Sequence, residues 1–318
     1  MAKEKRRNGK LFIIVELLLL LIIVGSVVTW LIFSNKKKEV EKEIKENSEE
    51  YKIKEEELNA KEEELNKITE KVKEYDNLDE KIESSRKGYF EAIKKLEDAI
   101  LVGTSDKKIA YLTFDDGPYY NTYKVFDILE KYDVKATFFL TNINGENCFD
   151  KKSENCYALY KEYVKRGHTI ANHTFTHGIF KGLYNSPSTF IDAVNKQHEL
   201  IKEQTGGYIA NIVRFPGGIP TAKAKLGSNG YEQATAQLRE LGYGWVDWTA
   251  ENGDGKDIQN KQQAWNMLSS YLNDNIEVIL FHDYNSITTS MLPEVIEYLR
   301  EKGYILLPLF YESNMINK

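Results

Sequence analysis

The sequence predicts an α/β protein: a distorted or incomplete (β/α) barrel of about seven parallel strands, set behind a membrane-crossing helix and a long charged helical spacer. Three observations predict it. An unbroken apolar run near the N-terminus gives way abruptly to a Lys/Glu-rich tract. After residue 103 short β-rich runs alternate with helical stretches, the rhythm of parallel strands joined by helical crossovers. And ionisable residues gather where those strands end.

Residues 1–10 carry Lys3, Lys5, Arg6, Arg7 and Lys10. Residues 11–33 are then apolar except for Glu16. A helix of that length covers roughly 35 Å, enough for a hydrocarbon core of about 30 Å. Basic residues before the span predict a cytoplasmic N-terminus, a single crossing of the cell membrane and an extracellular remainder. A cleaved signal peptide is the competing reading; the run exceeds the usual h-region and Gly25-Ser26 is a poor cleavage site.

From 34 to 103 the composition is dominated by Lys and Glu, without proline. Ile44, Tyr51, Leu58, Leu65 and Val72 recur at seven-residue spacing, with Ile68 and Tyr75 between. The pattern skips at Leu78 and resumes through Ile82, Tyr89, Ile93, Leu96 and Ile100. This predicts a long helix with coiled-coil tendency. It is either a solvated single spacer or a homodimeric coil, with a reach on the order of 100 Å if fully helical.

Residues 104–318 hold the predicted catalytic domain. Strands are read at Ile109–Phe114, Ala136–Leu140, His168–Ala171, Ile212–Phe215, Gly242–Trp248, Val278–Phe281 and Tyr304–Leu309. Helices fall between them near Thr122–Tyr132, Cys156–Arg166, Pro187–Gln204, Tyr231–Leu241, Ile258–Asn273 and Thr289–Lys302. The chain is 42% hydrophobic, enough for a packed core. Its net charge of −6 gives no support for nucleic-acid binding, which shows a basic stripe.

The polar residues sit at strand ends. Asp115 and Asp116 follow the first strand, His173 the third, Arg214 the fourth, Asp247 and Asp254 the fifth, and His282-Asp283 the sixth. Loops at the carboxyl ends of parallel strands converge on one face, so these groups are read as one site. Adjacent carboxylates in "TFDDGP" repel each other and resist desolvation. A bound cation resolves the conflict. "HTFTH" places His173 and His177 four apart, on one face of a helical turn, where both can grip an ion. No Glu lies between them as in the HExxH pattern, so the base must come from elsewhere. One Asp completes a two-histidine, one-carboxylate set suited to a divalent metal, foremost Zn²⁺ with Co²⁺, Ni²⁺ or Mn²⁺ as alternatives; the other Asp stays free as a base.

These motifs resemble the polysaccharide deacetylases of carbohydrate esterase family 4, the NodB-homology domain. "TFDDGP" looks like the family's first motif, "HTFTH" its second, "RFPGG" (214–218) its third and "ILFHD" (279–283) its fifth, in the family's order. The resemblance covers roughly residues 107–309. It implies Asp115 as catalytic base, and Asp116, His173 and His177 as metal ligands. Arg214 would hold the base, the N–H of Gly217 the oxyanion, and Leu280 would line the acetyl pocket; His282 would be the general acid. The fourth motif departs. Where the family usually has Asp-Trp, "WVDWTAENGDG" offers Asp254 followed by Gly255, or Asp247 followed by Trp248. Asp254 fits the expected spacing as the residue that orients His282.

Chemically the set is coherent. An amide is a poor electrophile with a poor leaving group, and it needs carbonyl polarisation, a base for water and an acid for the amine. The expected substrate is the N-acetylglucosamine of peptidoglycan, because the anchor and spacer would hold the domain in the wall. Chitin-like polymers, exopolysaccharides and acetyl-xylan would use the same machinery. A non-catalytic wall-binding coiled-coil scaffold and a non-haem iron oxygenase are competing readings; neither needs Arg214 or His282. Tyr119, Tyr120, Trp245 and Trp248 are candidate sugar contacts, with Trp248 foremost. Cys148 and Cys156 are either a disulfide or two free thiols. Trp265, His168 and His198 are read as structural.

Overall fold

The structure is a computed structural model, and it describes residues 34, 36, 60–67, 87–145, 156–208, 211–256 and 258–318. The expected membrane span at 11–33 and most of the expected coiled coil lie outside the described residues. Among the described residues, no helix is long and apolar enough to cross a membrane. The chain divides into two units, Met1–Gly88 and Tyr89–Lys318. Within the first, residues 60–67 are helical, and Lys67 pairs with Glu63 one turn away at 2.8 Å.

The second unit opens on helical residues 89–101 (α1). It continues as β1 (Lys108–Asp115), α2 (Thr122–Lys131), β2 (Thr137–Leu140), α3 (Cys156–Lys165), β3 (Thr169–Asn172), α4 (Pro187–Thr205) and β4 (Ile212–Val213). Then follow α5 (Gly218–Glu240), β5 (Gly244–Trp245), β6 (Ala250–Glu251), α6 (Lys261–Tyr271), β7 (Ile276–His282), α7 (Ser286–Glu301) and β8 (Tyr304–Leu307). The strands form one eight-stranded sheet in the order β5-β4-β3-β2-β1-β7-β6, with β8 also on β1. All named pairs are parallel. Along one edge β1 pairs with β7 from Ile109 to Asp115. Its other edge is shared end to end, by β8 over Lys108–Tyr111 and by β2 over Thr113–Asp115.

The path ends at β5 and β6 without joining them, so the barrel is incomplete, as the sequence predicts. The strand read at Gly242–Trp248 is shorter, β5 covering only Gly244–Trp245, and β6 at Ala250–Glu251 was not anticipated. The free edge of β5 is covered instead by Asn317, which bonds Trp245 in both directions at 2.9 and 2.8 Å. Covering an edge in this way removes a template for unwanted strand pairing.

Period-two alternation sorts the strand residues into two layers. Leu112, Phe114, Phe138, Leu140, Ile279 and Phe281 point outward into the main core, against Phe126, Leu129, Val295 and Ile296 of the helices. Phe114 stacks on Phe138 with centroids 5.0 Å apart and lies 5.6 Å from Phe281. Truncating such a ring costs about 3–5 kcal/mol. Ile109, Tyr111, Phe139, Ala171, Ile212, Val246 and Val278 point inward.

The inner cluster also contains Ile93 and Ile100 of α1, with Phe310 and Ile316 from the C-terminal segment. The boundary expected between 103 and 104 therefore falls inside this compact unit. The apolar positions 89, 93, 96 and 100, read as the end of a coiled-coil stripe, here pack on the N-terminal end of the barrel. Glu97, buried on the same helix, accepts from the Tyr111 hydroxyl at 2.5 Å, the Ser313 hydroxyl at 2.5 Å and the Asn314 N–H at 2.8 Å.

A second difference concerns α5. It begins at Gly218, well before the expected Tyr231, and is kinked at Gly227, whose φ is 69°. Pro220 sits in the first turn, where its missing N–H costs nothing. The N–H of Ile219 is met by both oxygens of Asp247, at 3.1 and 3.0 Å, which anchors the early start.

Candidate active site

The inward-facing row of β1 runs Tyr111, Thr113, Asp115, and its register sets Asp115 opposite His282 of β7. The base and acid named by the sequence thus share one end of two paired strands. Asp115 is buried, and its Oδ1 accepts from Arg214 at 2.8 Å. Burial pushes its pKa up to about 6, against the pull of the Arg214 charge. Its neighbour Asp116 has a φ of 71°, in the left-handed region that Asp tolerates better than most residues. That reversal turns its carboxylate toward β3.

The two histidines arrive on an irregular turn. "HTFTH" contains no helix; positive φ at Thr174 (66°) and His177 (42°) folds the segment back instead. The buried Asn172 carboxamide pins it, accepting from Thr174 N at 2.8 Å and donating to Val194 O at 2.9 Å. The expected helical face is therefore wrong, but its result holds. The rings of His173 and His177 lie 4.9 Å apart. Their Nε2 atoms stand 3.6 and 3.4 Å from Asp116 Oδ1.

The donor set fits a cation. Asp116 Oδ1 is buried with no hydrogen-bond partner, faced by two ring nitrogens. The ligand atoms of Asp116, His173 and His177 all lie within 4.8 Å of one another. His173 Nδ1 bonds the carbonyl of Arg214 at 2.8 Å, which makes Nδ1 the protonated nitrogen and leaves the Nε2 lone pair facing Asp116. Burial, helped by the nearby His177, holds His173 well below its usual pKa, so it stays neutral.

Arg214 is fully buried and uses every edge of its guanidinium. It donates to Asp115, to the Thr113 hydroxyl at 2.8 Å, and to the carbonyls of Val246 at 3.3 Å and Asp247 at 3.0 Å. Its carbon lies 4.0 Å from the centre of the Phe139 ring. Thr113 was not among the expected site residues, although strand alternation places it one pleat below Asp115.

His282 stands across from Asp116, with Nε2 3.8 Å from Oδ2. Its Nδ1 bonds Asp254 Oδ1 at 2.6 Å, and its backbone N–H donates to Asp254 Oδ2 at 2.7 Å. Burial opposes the imidazolium, but the bond and charge of Asp254, with Asp116 and Asp115, outweigh it and lift the pKa to about 9. Asp247 makes no contact with His282; it caps α5. The structure therefore sets Asp254 against His282. Gly255 is required there: a Cβ would lie 2.8 Å from His282 Cε1.

The remaining expected residues line the same end. Leu280 is buried one pleat below His282 on the same face. Gly217, at φ 74°, precedes α5. Trp248 packs on Gly218, where a Cβ would meet its ring at 2.9 Å. Trp245 is core, on the inner flank of α5. Cys156 is disulfide-bonded; the chain's other cysteine, Cys148, lies outside the described residues.

Comparison with known proteins decides the family. The polysaccharide deacetylase profile matches residues 102–234. The chain is 32% identical over 207 residues to a peptidoglycan-N-acetylglucosamine deacetylase of Bacillus cereus, covering 63% of this chain and 68% of that protein. This chain belongs to the polysaccharide deacetylase family. Three relatives matched at 32% identity are spanned over 65%, 71% and 68% of their own lengths. Among solved structures, the catalytic domain of a peptidoglycan N-acetylglucosamine deacetylase from Eubacterium rectale superposes with a TM-score of 0.59 at 32% identity, covering 67% of this chain and 93% of that one. A polysaccharide deacetylase from Bacillus cereus gives 0.55 at 26% identity, covering 65% and 95%.

Proposed function

We propose that this chain is a metal-dependent hydrolase that removes N-acetyl groups from a cell-wall glycan, with peptidoglycan N-acetylglucosamine as its substrate. One observation carries the reading: an unpartnered, buried carboxylate oxygen faces two histidine nitrogens, with a second carboxylate and a carboxylate-paired histidine flanking it. Asp116, His173 and His177 would hold the cation. Zn²⁺ suits the set, with Co²⁺, Ni²⁺ or Mn²⁺ as substitutes. When bound, the ion supplies carbonyl polarisation and a more acidic water.

The protein's own groups divide the proton work. Asp115, held by Arg214, takes the proton from the attacking water. The N–H of Gly217 supports the developing oxyanion, and Leu280 seats the acetyl methyl. His282 starts protonated and gives its proton to the departing amine. Asp254 keeps the ring in register and stabilises its charge. Trp248 walls the groove beside Gly218.

The basic tail at 1–10, the apolar span at 11–33 and the charged tract beyond support a cell-membrane chain with one anchor and an extracellular hydrolase. The heptad pattern suits pairing of two copies. The competing scaffold and iron-oxygenase readings leave the His282–Asp254 pair without work. The test is acetate release and a mass loss of about 42 Da per acetyl from purified peptidoglycan. Activity should vanish on chelation and return with Zn²⁺. Tight metal binding with no acetate from any acetylated glycan would refute the proposal.

A further inference from the structure

Two tyrosines stand at the mouth with no part in the steps above. Tyr119 follows Pro118 in the loop that carries Asp115 and Asp116, and Tyr284 lies two residues beyond His282. Their ring centroids are 5.1 Å apart, tilted at 59°. The Tyr284 ring also lies 5.2 Å from the His282 imidazole, tilted at 42°. The pair thus joins the loop of the base to the loop of the acid. Tyr284 nevertheless remains 38% exposed.

Beside the same imidazole, Gly255 is exposed and can carry no side chain while His282 keeps its place. The aromatic residue that the family pattern sets after the orienting Asp is therefore absent. The aromatic surface next to the acid comes from Tyr284, two residues along the chain from His282. A tyrosine offers a rigid apolar face with a polar rim at little entropic cost. A pyranose presents a matching face of C–H groups ringed by hydroxyls.

Resting on the deacetylase reading, we propose that Tyr284, backed by Tyr119, is the platform on which the glycan stacks. The ring it receives is the one linked to the sugar losing its acetyl group. Tyr284 is then a substrate-binding and specificity residue, not a support for the imidazole.

Acetate release from β-1,4-linked N-acetylglucosamine pentamer by the full-length protein separates these roles. Tyr284→Ala should raise KM roughly 10-fold, leave kcat within about 2-fold and leave both limbs of the pH profile in place. Tyr284→Phe keeps the ring and should restore the affinity. A fall in kcat at constant KM, or a moved alkaline limb, would make Tyr284 a support for His282 and overturn the platform. Unchanged kinetics would overturn it too. Calorimetric titration of the pentamer into the Asp115→Asn protein, with and without Tyr284→Ala, provides a readout independent of turnover. Binding should weaken roughly 10-fold. No pentamer binding, or binding indifferent to Tyr284, would count against the platform. A wild-type protein that releases acetate from neither the pentamer nor peptidoglycan nor any other acetylated glycan would instead defeat the deacetylase reading, leaving the titration to judge the platform separately.

Discussion

The two ends of the barrel both bury charge, and they treat it in opposite ways. At the N-terminal end Glu97 accepts three hydrogen bonds from Tyr111, Ser313 and Asn314, joining α1, β1 and the C-terminal segment. At the carboxyl end Asp116 Oδ1 is buried with none, on a residue at positive φ. A saturated network holds a fold together. An unsaturated one is costly and persists where a ligand completes it. Both ends hang on β1, through Tyr111 at one end and Asp115-Asp116 at the other.

The largest effects should separate the ends cleanly. Asp115→Asn should lower kcat by roughly 10²–10⁴-fold while the thermal melt and metal content stay near wild type. Loss of folding along with activity would blur the contrast. At the other end, a protein beginning at residue 104 should fail to melt cooperatively, because it loses Ile93, Ile100 and Glu97 from the inner cluster. A protein beginning at residue 87 keeps them and should melt as a unit. Equal melting of the two would show that α1 is dispensable.

Glu97→Ala should cost about 3 kcal/mol of stability in denaturant titration, since it strands buried donors, with kcat of the surviving folded protein unaltered. The pH profile sharpens the carboxyl end. As the proposed base, Asp115 would work deprotonated, so kcat/KM should rise through a limb near 6. As the proposed acid, His282 would work protonated, so it should fall through a limb near 9. Asp254→Ala removes what holds His282 up, so the alkaline limb should drop toward the ordinary histidine value of about 6.5. Asp247→Asn should leave that limb alone and cost only about 0.5–1 kcal/mol, the worth of a charge at a helix N-terminus. A shifted limb in this variant would reverse the assignment of the two aspartates.

Much of this was legible because the chemistry is local. Residue identities at strand ends named Asp115, Asp116, His173, His177, Arg214 and His282 before any coordinates, and alternation named the α/β class. What failed was conformational. The histidine turn works through two positive φ angles, which an i, i+4 spacing cannot distinguish from a helix. The apolar stripe through Ile93 and Ile100 has the same period whether it faces a second helix or a barrel floor. Tyr284 carried no signal beyond its place near His282. Thr113 did carry one, since its register along β1 could have been counted.

Beside Asp115, Arg214 has a second occupation at the β5 end of the sheet. From the end of β4 its guanidinium holds the carbonyls of Val246 and Asp247, just beyond the neighbouring β5, and reaches Thr113 and Asp115 of β1, three places away in the sheet. The side chain is at once a rivet between strands and a handle on the Asp115 carboxylate. Lysine, with one compact head, could serve either task but not both, so this position has no conservative substitute.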